Sequence, residues 1–140
     1  PLNQPRELSL ALGELLSQSV GGSSGILLSI FFTAAATSMT NEKPWSSQAI
    51  AKGIDGVMHY GGAKLGDRTM LDAMIPAMEA WGNGLGAATK AAEAGVENTK
   101  NIEKTDAGRS SYVPGDKLRG RADPGAYAIA LVLKACLSLD

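Results

Sequence analysis

The chain has few of the residues on which several common kinds of site depend. It contains one cysteine, Cys136, and one histidine, His59, among 140 residues. A single cysteine excludes a disulfide framework within the chain and suits a reducing compartment. A single histidine excludes a metal centre built from several histidines, and we predict no metal-binding residues in this chain. We interpret His59 as structural or partly exposed and Cys136 as a core residue.

Charge and hydropathy give no indication of a nucleic-acid or membrane partner. The formal net charge is −1, and no strongly basic surface is expected from 13 basic and 14 acidic residues. The most apolar run, residues 26–36, is shorter than the ~20 residues of a membrane span and is interrupted by Ser29 and Thr33. The sequence also lacks a lysine-containing P-loop and a serine-hydrolase nucleophile elbow. We therefore expect a cytoplasmic, single-domain protein.

The hydrophobic pattern predicts an all-α fold of six helices. Apolar residues recur at helical spacing, and no stretch alternates as a half-buried strand does. The first two predicted helices are residues 6–19 and 24–39. The third is capped by Ser46 or Ser47 and ended by Gly61 and Gly62, and the fourth carries Leu71 to Met78 with a kink or a local irregularity at Pro76. The fifth is residues 84–104, and the sixth follows Asp123 and runs through Leu137. Residues 106–122 show no sustained period.

Two of these segments have a distinctive composition. Residues 24–39 are apolar on nearly all sides, which predicts a helix buried in the centre of a bundle. Residues 84–104 carry many alanines, which favours either close approach of a neighbouring helix or a weakly packed surface helix. The last helix is expected to bury its stripe of large apolar residues, namely Ile129, Val132, Leu133, Cys136 and Leu137.

A glycine- and serine-rich loop, Gly21–Gly25, leads directly into the apolar helix. The free N–H groups and the dipole at a helix N-terminus favour a bound phosphate, and glycine allows a tight turn before it. A plain loop with a serine N-cap is the simpler interpretation, and this stretch taken alone favours it.

For several residues in two other segments, a role in ligand binding and a purely structural role are likewise alternative interpretations. Arg109 follows a glycine and precedes two serines, which suits either a phosphate ligand or a solvated arginine. We interpret Asp67 as a helix N-cap, and Arg68 with Asp72 as a surface ion pair. Met70 lies outside the apolar stripe of its helix, and a gap-filling role is favoured over contact with a ligand ring.

Four segments together resemble one known family in order and spacing: Gly21–Gly25, Gly66–Asp72, Gly108–Tyr112 and Asp123–Ala126. The family is the nucleotide-binding (L) domain of the dihydroxyacetone kinases, and the resemblance covers essentially the whole chain. It implies a barrel of eight amphipathic antiparallel helices that holds a nucleotide in loops at one end. Residues 69–72 and 97–101 look more like the fused ATP-dependent kinases than the stand-alone subunit of a bacterial phosphotransferase system.

The resemblance also implies a role for individual residues in binding ATP or ADP. Arg109 would be the catalytic residue beside the phosphates, which Ser23 and Ser24 would also contact. The other implied nucleotide contacts are Gly61 and Met70 in the loop and cap over the nucleotide, and Asp123, Pro124 and Gly125 at its adenosine half.

The chain departs from the family at the metal site. The family carries an aspartate-rich motif that holds two Mg²⁺ ions, and it lies ahead of the glycine loop, where this chain has no such motif. We therefore expect this chain to be the C-terminal part of an L domain, with about six of the eight helices and without phosphoryl transfer of its own. Its opening at Pro1 instead of methionine agrees with a fragment, and a degenerate domain is the alternative.

The implied reaction transfers the ATP γ-phosphate to dihydroxyacetone or a related short ketose. In the family a separate K domain, in the same or another chain, holds this small-molecule substrate on a histidine whose context His59 does not match. The alternative function is an ADP-binding L subunit that acts as a phosphoryl relay or binds a regulator. A helical remnant without nucleotide is a third hypothesis, and the sequence leaves a homodimer open.

Overall fold

A computed structural model describes residues 3–139 of the chain, except for the side chain of Arg109. Over these residues every regular element is a helix: α1 (Pro5–Ser19), α2 (Gly22–Ala36), α3 (Ser47–Gly61), α4 (Leu71–Ala80), α5 (Leu85–Thr99), α6 (Gly115–Leu118) and α7 (Pro124–Leu137), with 3-10 helices at Trp81–Asn83 and Arg109–Tyr112. The all-α prediction is confirmed. The chain divides into two compact units between Gly62 and Ala63. Within residues 3–139, no helix has the length and apolar character needed to cross a membrane.

The N-terminal unit consists of α1, α2 and α3. The buried Ser9 of α1 donates a hydrogen bond from Oγ to the Phe32 carbonyl of α2 over 2.8 Å. Gly53 of α3 lies against the ring of Phe31, since a Cβ at Gly53 would come within 2.5 Å of that ring. The ring of Phe32 meets Trp45 edge-on, with centroids 6.0 Å apart. Small residues therefore let both neighbours lie close to α2.

The apolar helix α2 is less buried than its composition predicts. Its buried residues are Gly25, Phe31, Ala35 and Ala36, whereas the side chain of Ile26 is 58% exposed. The prediction of burial on all sides was wrong for this unit, because α1 and α3 cover only those sides of α2 that they contact.

Both ends of α3 follow the sequence signals. The Ser46 hydroxyl accepts a hydrogen bond from the Ala49 N–H over 3.2 Å, as an N-cap does. At the other end Gly62 takes the left-handed conformation, with φ of 71°, and its N–H bonds the Met58 carbonyl. The predicted apolar stripe is buried at Ile50, Ile54 and Val57.

The core of the C-terminal unit is built mainly from alanine. The buried cluster shared by α4, α5 and α7 is Ala73, Ala77, Ala88, Ala92, Val96, Ala126 and Ala130. Of the two interpretations of the alanine-rich segment, close approach of neighbouring helices is therefore confirmed. Because alanine side chains are short, the backbones on either side can come close together.

The same alanine face explains an error about α7. Cys136 is exposed, as are Val132 at 59% and Leu137 at 39%, although a buried stripe was expected there. The helix buries Ala126 and Ala130 against α4 and α5, and Ile129 and Leu133 are partly buried beside them. Only the remaining part of the predicted stripe lies on the outward face of the helix.

Pro76 and Gly95 act together where α4 meets α5. Pro76 has no N–H, so it cannot bond the Asp72 carbonyl one turn earlier, yet α4 continues past it to Ala80. A Cβ placed on Gly95 would lie only 1.9 Å from that Asp72 oxygen. The carbonyl that Pro76 leaves free is therefore directed at the point where α5 has no side chain.

We predict that Gly95→Ala destabilises the protein by about 2 kcal/mol or more, because backbone atoms would have to move. Gly86→Ala on the same helix is the matched control, since a Cβ there meets nothing within 4 Å. It should raise stability by about 0.5–1 kcal/mol through helix propensity. Urea denaturation measures both, and equal effects of the two substitutions would contradict the close approach.

Candidate functional site

The glycine- and serine-rich segment of the N-terminal unit forms the first turn of α2 and is not a loop beyond Gly21. The N-cap of α2 is Gly21, in an extended conformation, and no side-chain cap hydrogen bond is formed there. Ser23 and Ser24 lie inside the first helical turn, and both are exposed. The interpretation of a serine N-cap was therefore wrong, because the serines follow the cap position. The two serine hydroxyl groups therefore lie beside N–H groups of the first turn that donate no hydrogen bond to an N-cap side chain.

Gly61 lies at the same end of this unit as the two serines. It is the last residue of α3, and a Cβ there would come within 3.1 Å of Leu27 Cδ2. Leu27 lies one helical turn beyond Ser23 in α2. The three predicted nucleotide contacts of the N-terminal unit are thus close to one another.

In the C-terminal unit, Asp72 organises the turn that precedes α4. Its two carboxylate oxygens accept hydrogen bonds from the N–H groups of Gly66, over 2.8 Å, and Thr69, over 2.9 Å. The Thr69 hydroxyl in turn accepts from the Leu71 N–H over 3.2 Å. Asp72 thus bonds the N–H three residues earlier, as the acidic residue of a capping box does, and these bonds hold the turn at the start of α4.

Asp67 belongs to the turn and does not cap the helix. Its Oδ2 accepts a hydrogen bond from the Lys64 N–H over 2.9 Å. The next residue, Arg68, has a positive φ of 57°, so the backbone changes direction before α4 begins. The N-cap interpretation of Asp67 was wrong for this reason.

Arg68 is buried, and the expected surface pair with Asp72 is not formed. Its residue exposure is 4%, and its Nη1 donates to the Ser110 hydroxyl over 2.8 Å. Its Nη2 donates to the Arg121 carbonyl over 2.6 Å. Nη1 also lies 3.8 Å from a carboxylate oxygen of Asp123, which makes a buried ion pair without a direct hydrogen bond. Arg68 thus joins the turn before α4 to two later segments.

Asp123 begins α7 as predicted. Its Oδ2 accepts from the Ala126 N–H over 2.8 Å, and Pro124 follows at the first helical position. Its own N–H donates to the hydroxyl of the fully buried Thr99 over 2.9 Å. Burial raises the pKa of Asp123 above its ordinary value, against the opposing effects of the Ala126 N–H and the Arg68 guanidinium.

Met70 and Gly125 are brought together beside this cap. A Cβ at Gly125 would lie 3.3 Å from Met70 N and 3.4 Å from Met70 Cβ. Met70 is buried at 7% exposure, whereas Pro124 is exposed. The surface that this turn offers to a ligand therefore consists mainly of Pro124 and the backbone around it.

The backbone of Arg109 begins a 3-10 helix, and its side chain lies outside what the structure describes. The preceding Gly108 has φ of 76° and lies against Thr69. Ser110 is buried under the Arg68 guanidinium. Residues 106–122, expected to be irregular, contain this 3-10 helix and the single turn α6.

The sequence did not predict that three residues would connect separate segments of this unit: Arg68, Ser110 and Thr99. The available signal was that Arg68 and Ser110 both lie inside the segments that carry the family resemblance. Thr99 had no such signal, because it ends a helix whose pattern is dominated by alanine.

The described part of the C-terminal unit also has two open grooves. One, of about 320 Å³, lies between α5 and α7 with Tyr127 and Leu131 on its wall, and the other, of about 280 Å³, lies beside Gly66 and Pro76. Neither is lined by the predicted nucleotide contacts. Among residues 3–139, no group of three or more acidic, histidine or cysteine side chains could hold a metal ion.

Comparison with known proteins agrees with the sequence resemblance. The family model described as the DAK2 domain matches residues 2–138. The chain belongs to the DAK2 domain family. This assignment confirms the resemblance to dihydroxyacetone kinases, which was based on four short segments in two units of the chain.

The relatives of this DAK2 chain include whole kinases. Dihydroxyacetone kinase of Citrobacter freundii is 44% identical over 138 residues, covering 96% of this chain and 25% of the relative. Triokinase/FMN cyclase of Homo sapiens is 40% identical over 152 residues, covering 99% of this chain and 26% of the relative. The crystal structure of the C. freundii kinase in complex with AMP-PNP and Mg²⁺ matches with a TM-score of 0.79 at 39% identity, covering 100% of this chain and 24% of that one. The chain spans about a quarter of these relatives.

We predict that Asp123→Asn becomes more stable relative to the unaltered protein as the pH rises. The raised pKa means that folding favours protonated Asp123, so its contribution to stability declines from about pH 4 to above that pKa. Asparagine keeps the N-cap acceptor and does not titrate.

Urea denaturation at a series of pH values measures this difference. Asp123→Ala is the control, because it removes both the charge and the cap and should be less stable than Asp123→Asn by about 1 kcal/mol. A relative stability of Asp123→Asn that declined with pH would contradict the raised pKa.

Proposed function

We propose that this chain is the C-terminal part of the nucleotide-binding domain of a dihydroxyacetone-type kinase. The observation that carries the proposal is the DAK2 match over residues 2–138. The similarity to a kinase structure that holds AMP-PNP and Mg²⁺ supports a nucleoside triphosphate as ligand. Because the relatives are about four times longer, we propose that the complete kinase has further segments. The family resemblance implies that one of them is a K domain that binds the ketose.

In this proposal the exposed serines of α2 contact the phosphates of ATP or ADP. Ser23 and Ser24 have exposed hydroxyl groups next to the N-terminus of α2, where the helix dipole favours negative charge. Gly61 belongs to the loop over the nucleotide. Because it has no side chain, the backbone at that end of α3 stays open to a ligand.

The turn at the start of α7 contacts the adenosine half of the nucleotide. Pro124 is exposed, and Gly125 packs on Met70, which would place Met70 behind the bound base. Asp123 acts here through the backbone and through its cap of α7, because its carboxylate already accepts from Ala126 N–H.

Arg109 is proposed as the catalytic residue of this chain. A guanidinium is permanently charged and can form two parallel hydrogen bonds to phosphate oxygens. Phosphoryl transfer depends on such positive charge around the transferred group. In this proposal a hydroxyl oxygen of a short ketose attacks the γ-phosphorus in the cytoplasm, the bond between that phosphorus and the β–γ bridging oxygen breaks, and ADP leaves. The ketose phosphate loses the hydroxyl proton to solvent, and Arg109 stabilises the charge that builds on the γ-phosphate.

The described part of the chain does not provide a magnesium site of its own. The described residues offer no cluster of carboxylates for a metal ion, and the carboxylates of Asp72 and Asp123 already accept backbone hydrogen bonds. These residues do not fit a magnesium site. We propose that any Mg²⁺ ligands of the kinase lie outside this chain.

The test is ATP- and Mg²⁺-dependent phosphorylation of dihydroxyacetone by the full-length protein that contains this chain. Arg109→Ala should lower kcat by about 10²-fold or more, as loss of a charge-stabilising group at a reaction centre does. Lys117→Ala is the matched control, since it removes an exposed basic side chain from the same segment and should leave kcat unchanged.

Equal turnover of Arg109→Ala and the unaltered protein would reject the role of Arg109. Turnover that needs a phosphoprotein donor and does not occur with ATP would instead favour the alternative of an L subunit in a phosphotransferase system.

A further inference from the structure

Arg68 occupies a backbone position that does not suit arginine. Its φ of 57° lies in the left-handed region, where residues with a Cβ are disfavoured, and it is the non-glycine residue of the described chain found there. Its residue exposure is only 4%. A strained backbone and a buried charge both oppose folding, so the interactions of its side chain must offset them.

Those interactions join the two ends of one segment. Nη1 donates to Ser110 Oγ over 2.8 Å, and Nη2 donates to Arg121 O over 2.6 Å. Residues 110–121 are therefore closed into a loop by a single planar guanidinium. Arg109, the proposed catalytic residue, directly precedes this loop, and Asp123 follows it.

The same guanidinium lies beside the cap of α7. Its Nη1 lies 3.8 Å from Asp123 Oδ1, while Asp123 Oδ2 caps the helix through the Ala126 N–H. Arg68 Nε is buried without a hydrogen-bond partner. The side chain therefore bonds Ser110 and Arg121 in an orientation that leaves one of its own donors unsatisfied. The 110–121 loop directly follows Arg109, and the cap of α7 directly precedes Pro124 and Gly125, so both contacts of Arg68 adjoin residues assigned to the nucleotide.

We propose that Arg68 is a positioning residue for nucleotide binding. It does not touch the nucleotide, but holds the 110–121 loop and the Asp123 cap against the turn before α4, which sets the places of Arg109, Pro124 and Gly125. This inference rests on the proposed function, and one arm of its test is independent of any nucleotide.

The first arm is hydrogen exchange of the full-length protein without ligand. The amides of Ser111, Val113, Gly120 and Arg121 donate backbone hydrogen bonds and can report on the loop. Arg68→Met keeps a long apolar stem but removes every donor, and should speed exchange at these amides by about tenfold or more. Arg119→Met is the matched control, because Arg119 pairs with Glu103 at an exposed position of the same loop.

The second arm is nucleotide affinity and kinetics. Arg68→Met should raise the Kd for Mg·AMP-PNP and the KM for ATP by about tenfold or more, with the KM for dihydroxyacetone unchanged. Arg68→Lys keeps the charge without the planar fork of the guanidinium. Its Kd for Mg·AMP-PNP and its KM for ATP should lie between those of Arg68→Met and those of the unaltered protein. Arg119→Met should stay within twofold of the unaltered protein in both arms.

The outcomes distinguish a failure of the positioning role of Arg68 from a failure of the proposed nucleotide-binding function. A folded Arg68→Met protein with unaltered exchange, or with unaltered affinity for nucleotide, overturns the positioning role. If Arg68→Met does not fold, Ser110→Ala decides: faster exchange at Ser111 and Val113 supports the role, and unaltered exchange overturns it. If the unaltered protein binds no AMP-PNP, the proposed function fails, and the exchange arm alone then decides whether Arg68 holds the loop.

Discussion

The buried guanidinium of Arg68 is the constraint on which the connections of the C-terminal unit depend. It bonds Ser110 and the Arg121 carbonyl and lies beside the Asp123 carboxylate, and Arg68, Ser110 and Asp123 are all buried. A buried charge is costly when it is left unpaired, so displacement of any of these partners leaves a group that neither protein nor solvent satisfies. The segments around Arg68 are therefore fixed together, although they are far apart in sequence.

The helices of this unit pack closely beside this cluster. Their shared core is made of alanines, and at one point the Asp72 carbonyl fits against Gly95 because Pro76 leaves it without a helical partner. The same Asp72 uses its carboxylate to fix the turn that carries Arg68. One residue thus connects helix packing to the geometry of the candidate site.

The sequence predicted those features that depend on local chemistry. Ser46, Gly62 and Asp123 mark helix ends because capping involves residues only a few positions apart. Burial of Arg68 could not be predicted in this way, since its spacing from Asp72 is equally typical of an exposed helix pair, and its partners lie more than forty residues further on. The outward face of α7 was missed because large apolar residues are usually buried, whereas here the alanines are.

A crystal structure of the full-length protein with AMP-PNP and Mg²⁺ tests the central claim most directly, namely that Arg68 arranges the nucleotide-binding residues without binding the nucleotide itself. We expect adenosine at Pro124 and Gly125, and a guanidinium of Arg68 that still bonds Ser110 and Arg121. A nucleotide bound away from these residues, or a phosphate bonded directly to Arg68, would contradict it.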